Sequence, residues 1–323
     1  MEKEYLKQDP TWKAFGITNF KSYKEQFVLT GMFHKNVPKD IVDAFKVVEH
    51  LLATAYYHYP AYDEAGAKIL RIIEMAVKQK CRQLNVSLDT PSKNPNKLPR
   101  PKELKILIDK LHEAEPGKHL QEQLDRLREL RNSVIHRADH SFVGPMNYRM
   151  IRQCVIVINK IFISEKTLKQ FNDHLLKMKE KIQNFSTGNL IFINGEITFP
   201  ISKFEIINVA LVEDKWIYNC YIQNLFHNAK GSLETHKYLT IDKLLVSIMK
   251  VSDIQLSLTL NDNNRIFYIE RADHPDLLKQ FDEFNEQMNQ VNENDKIIYD
   301  MFIEGEVAKT ESEFLYNWLW MVE

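Results

Sequence analysis

An amphipathic helical pattern with one charged residue on its apolar face occupies residues 120–136, which read Leu120-Gln-Glu-Gln-Leu-Asp-Arg-Leu-Arg-Glu-Leu-Arg-Asn-Ser-Val-Ile-His136. At about 100° per residue, the apolar side chains share one stripe of a helix that packs against a core. They are Leu120, Leu124, Leu127, Val134 and Ile135. Arg131 falls near the middle of the same stripe. Because an unpaired buried charge costs several kcal/mol, this guanidinium must find a partner.

A histidine follows this arginine at a short distance. His136 comes five residues after Arg131, and Asn132 lies directly after the arginine. Five steps of about 100° place the Arg131 and His136 side chains roughly 140° apart on an unbroken helix. The two side chains therefore share a site only if the helix ends between them or if a second chain supplies one of them.

The segment Arg131-Asn-Ser-Val-Ile-His136 resembles the R-x4-6-H motif of the HEPN superfamily (higher eukaryote and prokaryote nucleotide-binding domain). It has the form in which a polar residue follows the arginine. The chain contains no other R-x4-6-H match. The resemblance covers about residues 35–185 and does not extend to the rest of the chain.

The resemblance implies a fold and an activity. HEPN domains are small helical bundles, and many are metal-independent ribonucleases that pair so that two motifs face each other. By this resemblance, His136 is the general acid and base, Arg131 binds and stabilises the phosphate, and Asn132 orients the histidine or the scissile phosphate. The RNA products carry a 2′,3′-cyclic phosphate and a 5′-hydroxyl. The resemblance implies no cofactor and no metal ion, and a site completed in a homodimer.

The chemistry of these side chains agrees with that implication. Metal-free RNA cleavage requires removal of the 2′-hydroxyl proton, stabilisation of the phosphorane charge and a proton for the departing 5′-oxygen. Histidine serves as base or acid near neutral pH, and arginine offers a permanent two-pronged donor to phosphate. Two copies across a two-fold axis supply two of each. Arg128, Arg137 and His140 lie close enough in sequence to help hold RNA.

Each of these residues also has a structural interpretation. Arg131 can form a salt bridge with a carboxylate on a neighbouring helix, such as Glu74. His136 can be a partly buried histidine that the dipole stabilises at a helix C-terminus. The other basic residues can be solvated surface side chains. Ala138 stands where one HEPN subgroup has a tyrosine that a nucleotidylating antitoxin modifies, which argues against that mode of control.

Charge is divided unevenly along the chain. The net charge is −1, but residues 1–190 carry 32 Lys and Arg side chains against 22 Asp and Glu, and residues 191–323 carry 11 against 22. Such asymmetry predicts a polyanionic partner for the basic part, and the HEPN resemblance implies that this partner is RNA. Solvated faces that differ in sign would give the same counts.

Cysteine spacing and hydropathy restrict the class of protein. Cys81, Cys154 and Cys220 are far apart, which favours reduced core residues over a disulfide framework or a zinc cluster. No run approaches the roughly 18 apolar residues of a membrane span, and the first residues lack an apolar signal core. We therefore expect a cytoplasmic protein without membrane contact. The absence of P-loop, G-x-G-x-x-G and G-x-S-x-G motifs excludes the common nucleotide-binding and α/β-hydrolase classes.

Helical periodicity dominates residues 38–184. Apolar residues at spacings of three and four predict helices over 38–59, 62–84, 102–115, 118–136, 146–162 and 164–184. Residues 89–101 contain four prolines and predict an exposed basic loop. We therefore expect an all-α, HEPN-like helical bundle over residues 38–186, with an arm at residues 1–37 that packs on it.

The pattern changes near residue 187. Residues 190–199 predict a β-hairpin with an Asn194-Gly195 turn. Further strands are predicted at 216–221, 254–260 and 265–270, and helices at 203–212, 240–250 and 274–291. Residues 187–323 therefore predict a smaller, acidic α+β domain that senses a partner, binds one or inhibits the nuclease. The predicted fold class is α+β overall.

Three functional hypotheses follow from the sequence. The first is a HEPN-type endoribonuclease acting as a homodimer, with a protein partner or regulator at the C-terminal domain; many HEPN ribonucleases are toxins or antiviral effectors. The second is a non-catalytic module in which the same bundle binds RNA, a nucleotide or a protein. The third places the activity in the C-terminal domain, where Asp214, Arg265 and His274 show no recognisable spacing.

Overall fold

The fold combines helices and strands and is α+β overall. The computed structural model describes residues 7–90, 100–135, 144, 146–238 and 241–322. The chain divides into two compact units, Met1–Lys169 and Gln170–Glu323. This division lies within a helix, upstream of residues 186 and 187, where the sequence pattern changes from helix to strand.

The described elements of the first unit are helices apart from one short pair of strands. In chain order they are α1 (Phe20–Phe27), α2 (Lys39–Thr54), α3 (Ala61–Gln83), β1 (Asp89–Thr90), β2 (Arg100–Pro101), α4 (Leu104–Ala114), α5 (Gln121–Ile135) and α6 (Met146–Phe162). A further helix, α7 (Glu165–Lys181), crosses into the second unit. The short antiparallel pair β1–β2 corrects the prediction of an exposed basic loop over residues 89–101 at the two ends of that range; residues 91–99 lie outside the described part of the chain.

Helix α3 is the central element of the first unit, because it packs against α2, α4, α5 and α6. Its buried side chains recur at helical spacing, among them Ile69, Ile73, Ala76 and Val77. Because four helices pack against it, α3 is buried on more than one face.

The N-terminal segment is fixed to α2 and α3 by aromatic side chains. The Trp12 indole is fully buried and donates from Nε1 to the Ala55 carbonyl at 2.7 Å. The Tyr23 hydroxyl donates to the Leu52 carbonyl at 2.6 Å. These bonds satisfy the polar end of each buried ring, as buried Trp and Tyr require.

The strands of the second unit form a closed antiparallel barrel in sequence order. They are β3 (Thr187–Asn194), β4 (Ile197–Val212), β5 (Lys215–Asn224), β6 (Asp242–Val251), β7 (Gln255–Leu260) and β8 (Ile266–Arg271). Closure comes from pairing of β3 with β8, for example Phe192 opposite Ile269. The helices of this unit are α8 (Ala229–Glu234), α9 (Pro275–Gln290) and α10 (Glu293–Trp318).

Two predicted helices in this unit are wrong. Residues 203–212 lie in β4 and residues 242–250 lie in β6. Both strands carry a register shift, between Ile206 and Asn208 in β4 and between Val246 and Ile248 in β6. An extra residue in a strand breaks the alternation of apolar and polar positions, so the pattern mimics the helical period.

Other predictions for this unit are confirmed. The hairpin joins β3 to β4, with Asn194 paired to Ile197, so the loop residues are Gly195 and Glu196, one position after the predicted turn. Gly195 has a φ of 62°, which glycine adopts without strain. Strands β5, β7 and β8 and helix α9 match their predicted ranges to within three residues. Helix α10 packs on β4 and β5, where the Gln223 amide donates to the Tyr299 hydroxyl at 2.8 Å.

Candidate functional site

The Arg131 side chain pairs with a carboxylate of α3. Arg131 Nη2 lies 2.7 Å from Glu74 Oε2, and the guanidinium lies near the end of α5 with 27% of the side chain exposed. The leucines of the predicted stripe are buried, with Leu120, Leu124 and Leu127 each at most 6% exposed. The predicted apolar stripe is therefore confirmed for these leucines, and the arginine within it has the partner that its position requires.

Glu74 is shared between two cations. Lys78, one turn further along α3, donates from Nζ to Glu74 Oε1 at 2.6 Å, while Arg131 binds the other oxygen. Burial raises the pKa of Glu74, but the Lys78 hydrogen bond and the Lys78 and Arg131 charges outweigh it, and the pKa lies below its usual value. The carboxylate is therefore ionised at neutral pH, and the three side chains together carry one net positive charge.

Asn132 contacts the same guanidinium. Its Oδ1 accepts a hydrogen bond from Arg131 Nη1 at 3.1 Å. Arg131 Nε is buried and makes no hydrogen bond within the described part of the chain. The amide thus helps to fix the plane of the guanidinium, and donors of the arginine remain unused.

A second carboxylate of α3 holds the chain just before α6. Asp63 Oδ1 accepts hydrogen bonds from the Gly144 amide at 3.0 Å and from Asn147 Nδ2 at 2.8 Å. Gly144 has a φ of 51°, and a Cβ there would collide with the Tyr59 hydroxyl, so this position requires glycine. The chain on the C-terminal side of His136 is therefore anchored to α3 by a side chain and by close packing.

Both anchors lie on one face of α3. Asp63 and Glu74 are eleven residues apart, which brings a helix back to nearly the same face about 16 Å further on. Glu74 fixes α5 through Arg131, and Asp63 fixes Gly144. Residues 136–143, which include the predicted catalytic histidine, connect these two fixed points.

The structure places only part of the predicted site. His136, Arg137 and His140 lie outside the described residues. Arg128, predicted to hold RNA, lies 3.3 Å from both Asp125 Oδ1 and Glu129 Oε1. Its guanidinium is thus engaged by carboxylates of its own helix. Of the predicted site residues, Arg131 and Asn132 are the two that the described part of the chain brings into contact.

Sequence analysis named Glu74 as a possible partner of Arg131, which the structure confirms, but it missed Lys78 and Asp63. Lys78 lies four residues after Glu74, a recognisable Glu-to-Lys spacing on a helix surface, but the second cation on Glu74 was not foreseen. Asp63 gave no signal, because its partners come from a chain segment 81 residues away or more. A local pattern cannot show such a contact.

The described residues show no alternative metal or membrane feature. They contain no group of three or more His, Cys, Asp or Glu side chains arranged to hold a metal ion. None of the described helices combines the length and the apolar character needed to cross a bilayer. Cys81, Cys154 and Cys220 are buried free thiols, and burial raises the pKa of each.

No model of a known protein family matches the chain, and no curated protein matches it either.

Proposed function

We propose that the protein is a metal-independent endoribonuclease of HEPN type, with a composite active site at the interface of a homodimer. The helical part of the chain, residues 38–186, is the HEPN-like bundle in this proposal. Each subunit contributes Arg131, Asn132 and His136 to the site. Cleavage leaves a 2′,3′-cyclic phosphate and a 5′-hydroxyl, and it needs neither a metal ion nor a cofactor.

The observation that carries this proposal is the sharing of Glu74 between Arg131 and Lys78. Two cations share this one carboxylate, so the cluster keeps one positive charge, and both cations are partly exposed, Lys78 at 37% and Arg131 at 27%. Arg131 lies five residues before His136 in the sequence. An excess cation at a partly exposed position attracts an anion such as a phosphate. The fixed guanidinium plane suits two-pronged binding of that phosphate.

The division of labour in the reaction follows from the side-chain chemistry. One His136 removes the proton from the 2′-hydroxyl, and the second protonates the departing 5′-oxygen. Arg131 stabilises the charge that develops on the phosphorane oxygens. Asn132 holds the guanidinium in position through its 3.1 Å contact. Glu74 and Asp63 act as positioning residues, because they fix the chain on both sides of the histidine.

The test is cleavage of a structured RNA by the purified full chain in EDTA, with analysis of the product ends. We expect cyclic-phosphate and 5′-hydroxyl ends. His136→Ala should lower the rate at least a hundredfold, as expected for a general acid or base, without changing folding or RNA affinity. Arg131→Lys keeps the charge but loses the two parallel N–H donors of the guanidinium, and it should lower the rate about tenfold or more. Equal rates for wild type and His136→Ala would contradict the proposal.

A second candidate function is a non-catalytic module that binds RNA, a nucleotide or a protein. The observation that favours it is the 2.7 Å contact between Arg131 Nη2 and Glu74, which is also what a structural arginine makes. In that case His136→Ala leaves every RNA property unchanged. The mutant therefore separates the two candidates directly.

The second unit is proposed as a regulatory or partner-binding domain. Its sequence is acidic, with 22 Asp and Glu side chains against 11 Lys and Arg over residues 191–323. An acidic surface suits binding of a basic protein partner or competition with RNA. In this proposal the chain acts in the cytoplasm as a toxin or an antiviral effector.

A further inference from the structure

One arginine lies on the α3 face that carries both anchoring carboxylates. At about 100° per residue, Asp63, Ala67, Arg71, Glu74 and Lys78 fall within an arc of roughly 80°. Arg71 lies one turn before Glu74 and is exposed. We propose that Arg71 is a phosphate-binding residue for single-stranded RNA, which extends the site from Arg131 along α3. This inference rests on the proposed function.

Of the three carboxylates of α3, two are already engaged, and the third, Glu64, lies seven residues before Arg71. Asp63 accepts from the Gly144 amide and from Asn147. Glu74 binds both Lys78 and Arg131. Within the described ranges, no ion pair or hydrogen bond of the Arg71 side chain is found. The guanidinium therefore remains available to an external anion.

The neighbouring charges favour a polyanion over a single small anion. Side chains three residues apart on a helix are neighbours, with about 5–6 Å between their Cβ atoms. Arg71 thus lies beside the Glu74 cluster, whose Lys78 and Arg131 are 37% and 27% exposed. These side chains form a row of partly exposed cations with one carboxylate among them. Such a row matches successive phosphates of one RNA strand, and each neutralised phosphate releases counterions.

Arg71 is more accessible to a phosphate than Arg128. Arg128 was predicted to help hold RNA, but its guanidinium lies 3.3 Å from each of two carboxylates and only 23% of the side chain is exposed. A phosphate at Arg128 would meet two carboxylates in contact with the guanidinium. Within the described residues no carboxylate contacts Arg71, so Arg71 is the better phosphate ligand of the two.

The chain offers a matched control on another helix of the same unit. Arg149 is an exposed arginine of α6, two residues after Asn147, so it lies on nearly the opposite side of α6 from the Asn147 side chain that contacts Asp63. Arg71→Gln and Arg149→Gln remove the same charge from the same unit. A general loss of electrostatic attraction affects both variants equally, whereas a specific phosphate contact on α3 affects only the first.

The experiment measures binding of the full-length protein to a short, labelled 2′-O-methyl RNA, which lacks the attacking hydroxyl and is not cleaved. We expect Arg71→Gln to weaken binding about tenfold at low salt and to reduce the slope of log K against log salt by about 0.7, the contribution of one phosphate contact to single-stranded RNA. Arg149→Gln should change the affinity less than about twofold. Circular dichroism checks that both variants fold.

The outcomes separate this inference from the proposed nuclease. Equal affinities for Arg71→Gln and Arg149→Gln overturn the assignment of Arg71, even if the wild type cleaves unmodified RNA. A wild type that does not bind the RNA overturns it as well. If the wild type binds the 2′-O-methyl RNA but does not cleave unmodified RNA, and only Arg71→Gln loses affinity, the result supports the assignment of Arg71 and contradicts the proposed nuclease.

Discussion

Two ion clusters in the first unit have the same combination of charges but differ in their exposure to solvent. In each, one carboxylate lies between two cations, and α3 supplies part of both. Glu74 binds Lys78 and Arg131, which are 37% and 27% exposed. Glu115 pairs with Lys80 and Lys118, which are 11% and 2% exposed. The comparison shows that one carboxylate between two cations has a different role when the cluster is buried than when it is exposed to solvent.

We call Glu115, Lys80 and Lys118 the sealed cluster, and Glu74, Lys78 and Arg131 the open cluster. The sealed cluster joins the elements around it. Lys118 Nζ lies 3.0 Å from Glu115 and donates to the Ile161 carbonyl at 2.7 Å, and Lys80 Nζ lies 3.1 Å from Glu115. The cluster thereby links the short helical turn Pro116–Lys118 to α3 and to the end of α6. Neither cation can turn to water, so the contacts are structural. The open cluster keeps its cations at the surface, where an anion can reach them.

Burial also changes the titration of the sealed cluster. Burial and the Lys80 ammonium lower the pKa of Lys118 to about 8, against the opposing effect of Glu115. In the open cluster, burial raises the pKa of Glu74, but hydrogen bonding and charge from Lys78 and Arg131 lower it more strongly. Desolvation therefore dominates in one cluster and ion pairing in the other.

The largest expected effect is loss of the carboxylate from the sealed cluster. Glu115→Gln leaves the Lys80 and Lys118 ammonium groups close together, buried and without a counter-charge. Removing one partner from a buried ionic group costs about 3–5 kcal/mol, and we expect the free energy of unfolding to fall by that amount. Chemical denaturation at pH 7 measures it.

The control for this substitution is Glu113→Gln. Glu113 lies in the same helix region and pairs with Lys110, but its side chain is 60% exposed. Loss of an exposed pair changes stability by less than about 1 kcal/mol. Similar losses for Glu113→Gln and Glu115→Gln would show that burial does not set the strength of these clusters.

The second prediction concerns the pH dependence of the sealed cluster. Lys118 has a pKa of about 8 in the folded chain, against about 10.4 for an unperturbed lysine. Between these pH values the unfolded chain binds a proton at Lys118 that the folded chain has released. Stability must therefore rise with pH over this window, by about 3 kcal/mol for a shift of this size.

The measurement compares wild type with Lys118→Met at several pH values between 7 and 10. The methionine variant keeps the apolar stem and lacks the titrating amine, so groups that do not contact Lys118 cancel in the difference. We expect the difference in the free energy of unfolding to change with pH in favour of the wild type. Parallel curves for the two proteins would show that Lys118 titrates normally.

The open cluster was partly predictable from sequence, and the sealed one was not. The stripe of Leu120, Leu124 and Leu127 placed Arg131 against a neighbouring helix and made Glu74 a reasonable partner. Lys118 gave no such signal, because it lies in a turn after Pro116-Gly117 rather than on a periodic helix. Its burial depends on the end of α6, which is 43 residues away in sequence.

The same reasoning explains the success and failure of the fold prediction. Helices α2 and α3 have apolar residues at helical spacing, so their existence followed from the sequence. Strands β4 and β6 contain register shifts, and β4 also packs against α10, so their apolar residues do not simply alternate. Closure of the barrel through β3 and β8 joins residues about 80 positions apart, which local periodicity does not encode.

The smallest expected effect, and the sharpest test of the comparison, is loss of the carboxylate from the open cluster. Glu74→Gln removes the counter-charge of Arg131 and Lys78, but both cations are partly exposed and can turn to water. We expect the free energy of unfolding to fall by about 1 kcal/mol, several times less than for Glu115→Gln. The exposed Glu64 of the same helix supplies the control, Glu64→Gln, which should change stability by less than about 0.5 kcal/mol. A loss as large as that of Glu115→Gln would mean that Arg131 is locked into a structural pair. Its guanidinium would then not be available to a phosphate, and the proposed nuclease would lose the observation that carries it.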